Sequence, residues 1–319
     1  MDQRPILTVT LNPAVDVAAR VDRVEPGPKL RLADPRSDPG GGGINVARAI
    51  GRLGGTAQAF VALGGAMGAQ LAWLLEHEGV ALHRFDAPGE TRHSLSVMED
   101  ATGLEYRFVL PGVDWPAARA RKALAAVEAA VRSHGIVVLS GSQPPGVSDD
   151  FPTRLARRLE GPEATLLVDT SGAPLDRLVD VPDRSHPPQV LRMDDVEAEE
   201  VAGRALPDPA DTADFAAALV ARGAAETVVI ARGADGNVLV RSDLRLHCRP
   251  PRVEVASKVG AGDSFMGAFA LELARGHGWD EALRRGTAAA AAAVTTPGTD
   301  LCSLADTDRF TPECTLTEL

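Results

Sequence analysis

Cysteine is scarce in this chain. Cys248, Cys302 and Cys314 are the whole supply, and no two fall at the close spacings that bind zinc. An odd, sparse set of thiols fits a reducing compartment rather than a disulfide framework, and the expectation is a cytoplasmic protein. Long apolar runs are also missing. The stretch 288–294 covers only about two helical turns and reads as a buried core helix, not a membrane span. No basic n-region followed by an apolar h-region stands at the start, so no secretory leader is expected. Positive charge is in deficit, with 33 Lys and Arg against 44 Asp and Glu and a net charge of −11. That balance argues against a general nucleic-acid binder. It still leaves room for an anionic small molecule, because local basic residues can oppose the global field. The G-x-x-x-x-G-K-[ST] segment of P-loop enzymes is absent, as are internal repeats and low-complexity linkers.

Apolar residues are plentiful, at 45% of 319, enough for a sizeable core, and the pattern reads as a single domain across 1–319. The most informative stretch is Lys258-Val259-Gly260-Ala261-Gly262-Asp263-Ser264, followed by an apolar, Ala-rich helical pattern over 265–274. It predicts free backbone N–H groups at a helix N-terminus, which favours anions. Beside them stands a carboxylate able to take a proton from an attacking hydroxyl. The combination suits phosphoryl transfer to an alcohol, although aspartate is also a common helix N-cap. A second Gly-rich element stands far upstream, Gly40-Gly41-Gly42-Gly43-Ile44-Asn45. Backbone without side chains lets a ligand approach closely, and Asn45 can donate and accept hydrogen bonds where the next helix opens.

Residues 6–11 read as a first strand ended by Asn12-Pro13. Short alternating pieces within 14–32, and again over 93–98 and 104–110, read as two β insertions. They are expected to pair into one lid sheet drawn from about 14–38 and 90–111. Elsewhere helices alternate with strands. Helices are expected at 42–53 and 66–78, with an Ala-rich one from 114 to about 132. Strands are expected at 57–63, 80–85, 136–139, 164–168, 190–193, 227–231 and 237–240. The order predicts an α/β chain with a doubly wound, mostly parallel sheet and a small β lid. Ligands then sit outside the carboxyl ends of the strands, where Asn12, Asp16, Ser140, Ser142, Asp169, Thr170 and Asp194 cluster. The tail beyond Leu304 reads as poor in apolar positions and free of chemistry.

Several pieces together resemble the ribokinase-type (PfkB) sugar kinases, and within them the phosphofructokinase branch. They are Thr8-Val9-Thr10-Leu11-Asn12-Pro13-Ala14-Val15-Asp16, Gly27-Pro28-Lys29, residues 40–55, Thr91-Arg92, Tyr106-Arg107-Phe108, Ser140-Gly141-Ser142-Gln143-Pro144-Pro145-Gly146, the Gly260 turn and residues 298–303. They span nearly the whole chain. Four glycines with no lysine among them are more similar to the 6-phosphofructokinase members than to the 1-phosphofructokinase members. The resemblance implies a ribokinase-like fold whose lid often pairs with its mate in a dimer, ATP as donor and Mg²⁺ as cofactor. It implies that Asp263 is the base and that the amides of Gly260, Ala261, Gly262 and Asp263 hold the transferring group. Asp16, Gly40, Gly41, Asn45 and Ser142 would meet the sugar, and Lys29, Arg92 and Arg107 its phosphate. Arginine's planar fork suits two phosphate oxygens, so a sugar phosphate is expected rather than a free sugar.

The nucleotide side departs from the family pattern. Where members carry Lys-Pro-Asn and a glutamate three residues on, this chain has Arg192-Met193-Asp194-Asp195-Val196-Glu197. Asp194 and Glu197 still put two carboxyl groups on one helix face, as a water-mediated Mg²⁺ site requires. Arg192, Asp194, Gly233 and Lys258 are the expected nucleotide contacts, with Gly260 and Gly262. Ala231-Arg232-Gly233 replaces Ser-Leu-Gly, and Lys258 replaces a threonine near Asp300, where some members bind a monovalent cation. The Lys258 ammonium is expected to stand in for that cation or to touch a donor phosphate. The expected reaction is ATP-dependent phosphorylation of the 1-hydroxyl of fructose 6-phosphate. The expected partners are sugar phosphate, nucleotide and a second copy through the lid, with no nucleic acid and no membrane. Alternatives are 1-phosphofructokinase or tagatose-6-phosphate kinase activity and, from the altered nucleotide side, a sugar-phosphate-binding regulatory protein. A pure sensor has no use for a base at position 263.

Overall fold

The computed structural model describes residues 3–131, 135–159, 164–296, 298 and 300–319. In chain order its elements are β1 (Ile6–Thr10), β2 (Ala14–Val21), β3 (Ala33–Gly40), α1 (Gly42–Arg52), β4 (Gln58–Leu63), α2 (Gly65–His77), β5 (Ala81–Asp86), β6 (Arg92–Glu99), β7 (Glu105–Val109), α3 (Ala117–Ala130), β8 (Gly135–Ser140), α4 (Phe151–Arg158), β9 (Ala164–Asp169), α5 (Ala173–Asp180), β10 (Val190–Met193), α6 (Asp195–Ala202), α7 (Pro209–Arg222), β11 (Thr227–Ala231), β12 (Asn237–Arg241), β13 (Leu244–Arg249), α8 (Ala261–Ala274), α9 (Trp279–Val294), α10 (Leu304–Phe310) and β14 (Thr315–Glu318). The expected helix after Asp114 begins at Ala117; Arg132, its expected end, lies outside the described residues.

The central sheet runs β14-β13-β12-β11-β10-β9-β8-β1-β4-β5. From β5 to β11 every pairing is parallel, and β12, β13 and β14 add on antiparallel. Strands β1 (ILTVT) and β8 (GIVVLS) are buried along their whole length, as strands covered on both faces must be. The chain winds outward from β1 to β4 and β5, then crosses to β8 and winds the other way. The reversal lies between β1 and β8, and a crevice at the carboxyl ends of such a pair is where this kind of sheet binds ligands.

The second sheet has the order β3-β2-β6-β7. Its central pair, β2 and β6, runs parallel and joins the two insertions into one lid. The first insertion differs from the sequence expectation: its strand stops at Val21, and the return strand is β3, ADPRSDPG. Two prolines and two aspartates carry little strand signal, but β3 lies on a sheet edge with β2 as its one partner among the described residues, where proline is tolerated. The tail also corrects the expectation. It buries Phe310 and Cys314, and β14 pairs β13 to close that edge. The 288–294 stretch lies in α9 with Ala288, Ala289, Ala291, Ala292 and Ala293 buried. No described helix is long and apolar enough to cross a membrane.

One helix crossing fixes the site. A Cβ on Gly267 of α8 would stand 2.7 Å from the Ala49 Cβ and 3.1 Å from the Val46 carbonyl oxygen of α1. Small residues at this crossing let the two backbones approach. One turn back along each helix stand Asp263 and Asn45.

Candidate active site

Four glycines bring the lid strand, the crevice floor and α1 together. A Cβ on Gly40 would fall 2.1 Å from Asp16 Oδ2, one on Gly42 would fall 2.3 Å from Ser140 Oγ, and one on Gly43 would fall 2.6 Å from Thr10 Oγ1. Gly41 turns the chain at φ 126°, a region closed to most side chains, with Thr10 Cγ2 in the way of any Cβ. The run is thus demanded first by close approach of protein atoms, not only by access for a ligand. It seats the N-terminus of α1 on the ends of β1 and β8, and Asn12 Nδ2 donates to Ser142 Oγ at 3.1 Å across the same gap.

Asp263 stands in the first turn of α8. Gly260 caps that helix in the left-handed region, at φ 75°, and a Cβ there would meet Leu301 Cδ2 at 2.6 Å. The first intrahelical bond is Ser264 N–H to the Gly260 carbonyl at 2.8 Å. The amides of Ala261, Gly262 and Asp263 precede it and point out of the helix end. No side chain among the described residues caps α8, so Asp263 is not spent on capping. Its Oδ2 instead accepts from Asn45 Nδ2 at 2.9 Å. Burial pushes its pKa up to about 6 against the pull of the Asn45 hydrogen bond, while Asp169 raises it and Arg192 and Arg48 lower it. Such a carboxyl is poised between its two protonation states close to neutrality, as a general base should be.

Across the N-terminus of α1 lies a second charged group. Asp16 of β2 sits in register between Asp38 of β3 and Ser94 of β6. Burial raises its pKa, opposed by Arg92, a hydrogen bond with Ser94 and Arg107. Arg92 hangs its fork on backbone, donating to the Asn12 carbonyl (Nη2, 3.2 Å) and the Leu110 carbonyl (Nη1, 3.3 Å). Arg107 is exposed on β7. Lys29 is exposed between β2 and β3 and has no hydrogen bond or ion pair among the described residues. The structure thus gathers Asp16, Arg92 and Arg107.

On the other flank Arg192 of β10 pairs with Asp169 (Nη1–Oδ1 3.3 Å). Its guanidinium lies over Gly262, whose Cβ would be 2.9 Å from Nη1, and its buried Nε has no partner among the described residues. Asp194 and Glu197 are bonded to each other's backbone: Glu197 N–H donates to Asp194 Oδ1 and Asp194 N–H to Glu197 Oε2, both at 2.9 Å. They form a capping box for α6. Burial, with the charges of Asp194 and Asp169, pushes Glu197 up to about 7. Gly233 opens a short turn at φ 55°. Lys258 is exposed and reaches no carbonyl of its loop among the described residues; Ser257 Oγ donates to the Gly298 carbonyl and Thr296 Oγ1 to that of Asp300. A cavity of about 360 Å³ opens at the opposite, amino end of the sheet beside Gln3, Arg4 and Thr56. It has none of these charge clusters and is not the site.

The pfkB family carbohydrate kinase model matches residues 9–306. The chain belongs to the pfkB family of carbohydrate kinases. Among curated relatives, the ATP-dependent 6-phosphofructokinase isozyme 2 of Escherichia coli is 38% identical over 305 residues, covering 96% of this chain and 97% of that protein. A 1-phosphofructokinase of Xanthomonas campestris is 34% identical over 267 residues, covering 84% and 83%. Among solved structures, phosphofructokinase-2 of Escherichia coli in complex with potassium superposes with a TM-score of 0.90 at 36% identity, covering 97% of this chain and 99% of that one. Ribokinase of Arabidopsis thaliana, at 18% identity and a TM-score of 0.73 over 96% of this chain and 98% of that one, shares the fold. This pfkB-family kinase is therefore a phosphotransferase built on a ribokinase-like fold. Sequence reasoning named Asp263, Asn45, Asp16 and Arg92 but passed over two residues of the same neighbourhood, Arg48 and Glu78. No local motif marks them, because their meeting depends on how α1 packs against the end of α2.

Proposed function

We propose that this kinase transfers the γ-phosphoryl group of ATP to the 1-hydroxyl of fructose 6-phosphate. The observation that carries the reading is the arrangement about α1. Asp263, bonded by Asn45, lies on one side of its N-terminus, and the Asp16, Arg92 and Arg107 group lies on the other. A ketose phosphate lying between them would set its phosphate on the arginines, its hydroxyls against Asp16 and the Gly40-Gly41 backbone, and its far hydroxyl at Asp263. Asp263 orients that hydroxyl and takes its proton as the oxygen attacks. The amides of Gly260, Ala261, Gly262 and Asp263 would steady the charge on the transferring group, with Arg192 beside Gly262 adding a positive charge. Positioning and electrostatics of this kind dominate phosphoryl transfer.

Mg²⁺ fits the nucleotide flank. Asp194 and Glu197 each keep one carboxylate oxygen beyond the capping box, and oxygen is the donor this ion prefers. No cluster of three or more His, Cys, Asp or Glu closes on a metal among the described residues, so the ion would keep phosphate and water ligands and touch these carboxylates through water. Bound there, it would neutralise triphosphate charge.

Identity to 1-phosphofructokinase supports a second reading, phosphorylation of fructose 1-phosphate at its 6-hydroxyl. Turnover of fructose 6-phosphate, fructose 1-phosphate and tagatose 6-phosphate with MgATP, followed by ADP release, separates the readings. The proposal expects kcat/KM for fructose 6-phosphate to lead by at least about tenfold, near 1.4 kcal/mol of transition-state preference. A lead for either other sugar overturns it. We also propose a homodimer formed through the lid, whose β7 side exposes Leu104, Phe108, Val109 and Leu110.

A further inference from the structure

Arg48, in α1, is 6% exposed. A guanidinium so deep is costly unless its donors are met. Here Nε and Nη2 make a two-point pair with Glu78, at 2.5 Å to Oε2 and 2.9 Å to Oε1. Nη1 turns the other way and donates to Asn45 Oδ1 at 3.1 Å and to the Pro39 carbonyl at 3.4 Å. The far side of the Asn45 amide donates to Asp263. The result is one relay, Glu78 to Arg48 to Asn45 to Asp263, reaching from the end of α2 through α1 to the first turn of α8.

The relay settles which way the Asn45 amide faces. Reversed, its NH₂ would confront the guanidinium donors and its oxygen would confront a carboxylate, with two repulsive contacts in place of two hydrogen bonds. Arginine has no acceptor and never gives up its charge in a protein, so it holds this orientation at every working pH. Glu78 in turn holds Arg48 in place and offsets its charge.

We infer that Arg48, fixed by Glu78, is a positioning residue of the phosphoryl-transfer step: it orients the Asn45 amide so that Asn45 donates to Asp263 and keeps that carboxylate aimed at the acceptor hydroxyl. The inference rests on the assignment of Asp263 as base. The charged groups bearing on Asp263 are Asp169 at the end of β9, Arg192 on β10 and Arg48 on α1, with Glu78 acting through Arg48. Asp16, Arg92 and Arg107 form their own group in the lid. Loss of Arg48 therefore removes a positive charge and a fixed donor, and both losses hold the proton on Asp263 more tightly. Loss of the Glu78 charge leaves Arg48 unopposed and has the reverse effect.

The test is the pH profile of kcat/KM with full-length enzyme, MgATP and fructose 6-phosphate, for Arg48→Met, Arg48→Lys and Glu78→Gln. The sugar phosphate titrates too, near pH 6, but identically for every variant, so differences between profiles belong to the protein. Arg48→Met is expected to lose about 10- to 100-fold in kcat with KM for the sugar changed less than about threefold, and its acid limb moves up by about half a unit or more. Arg48→Lys keeps the charge and loses the fork, so the limb stays near native while kcat falls about tenfold. Glu78→Gln moves the limb down. Glu78 is about a third exposed (34%), so this variant remains informative should Arg48→Met fail to fold. An acid limb unmoved in Glu78→Gln, or moved the same way in both variants, overturns the inference. Asp263→Asn separates the two levels. If that variant stays active, the base assignment fails. If it is inactive while the Arg48 and Glu78 variants keep the native profile, only the positioning role fails.

Discussion

At the scale of single residues, the proposed chemistry rests on a carboxylate that the fold makes costly to ionise. Asp263 has an ordinary value of 3.8 and is raised to about 6, chiefly by burial. With Asp263 as the proposed base the active form is the ionised one, so activity is expected to fall below about pH 6, with the limb belonging to the free enzyme in kcat/KM. Asp263→Asn keeps size and the Asn45 contact but cannot accept a proton, and kcat is expected to drop by about 10²–10⁴. Native kcat in that variant would remove the base from the mechanism. The same shift bears on stability. The folded acid holds its proton up to about pH 6 and the unfolded one only to about 3.8, so the fold binds more protons between those values. The stabilisation from this group is complete below that window, declines as pH rises through it and is gone above it. Asp263→Asn should therefore unfold at higher denaturant than wild type at pH 8, by on the order of 2 kcal/mol once partial solvent access is allowed for. That gain should vanish near pH 4. Equal midpoints at pH 8 would show that the carboxylate sits there without cost.

At the scale of elements, the site depends on how closely α1 and α8 cross. Gly267→Ala tests this directly, since its Cβ would meet the Ala49 Cβ and the Val46 carbonyl. Helix propensity alone favours alanine by about 1 kcal/mol, whereas overpacking costs about 1–3 kcal/mol. Backbone cannot rotate away as a side chain can, so the clash is expected to win. Thermal stability falls slightly, and kcat falls about tenfold as Asn45 loses its reach to Asp263. A variant with raised Tm and native kcat would show that the crossing has slack. This crossing also marks what the sequence could disclose. The central strands were legible because β1 (ILTVT) and β8 (GIVVLS) are short runs rich in β-branched and apolar residues. The Gly260 turn was legible because small residues before an aspartate have one simple structural use. Strand β3 was not, since Asp34, Pro35, Asp38 and Pro39 carry no strand signal and only its edge place tolerates them. Arg48 and Glu78 were hidden for a different reason. Each looks like an ordinary helix charge until tertiary packing turns α1 so that Arg48 faces inward.

At the scale of the whole molecule, the lid is a four-stranded sheet that leaves both edges, β3 and β7, unpaired among the described residues. Such edges invite pairing with another chain unless they are guarded. Guarding is weak on the β7 side, where Phe108 is 55% exposed and Val109 61%. Exposed apolar side chains along an unpaired strand edge mark a candidate interaction site. The whole chain carries a net charge of −11, which opposes unspecific association, so a specific lid contact is the economical way to cover these side chains. The expected state in solution is therefore a dimer at micromolar concentration. Phe108→Asp with Val109→Asp should give a monomer, because charges brought face to face across a two-fold contact repel and must shed water. Arg107 adjoins this pair in sequence and its charge bears on Asp16. Loss of the dimer should therefore raise KM for the sugar phosphate by about tenfold while the KM for ATP, which the proposed function places on the opposite flank, changes little. Sedimentation velocity and initial rates on the same samples read both. A wild-type monomer would refute the lid contact. A dimer lost with both KM values unchanged would uncouple that contact from the sugar site.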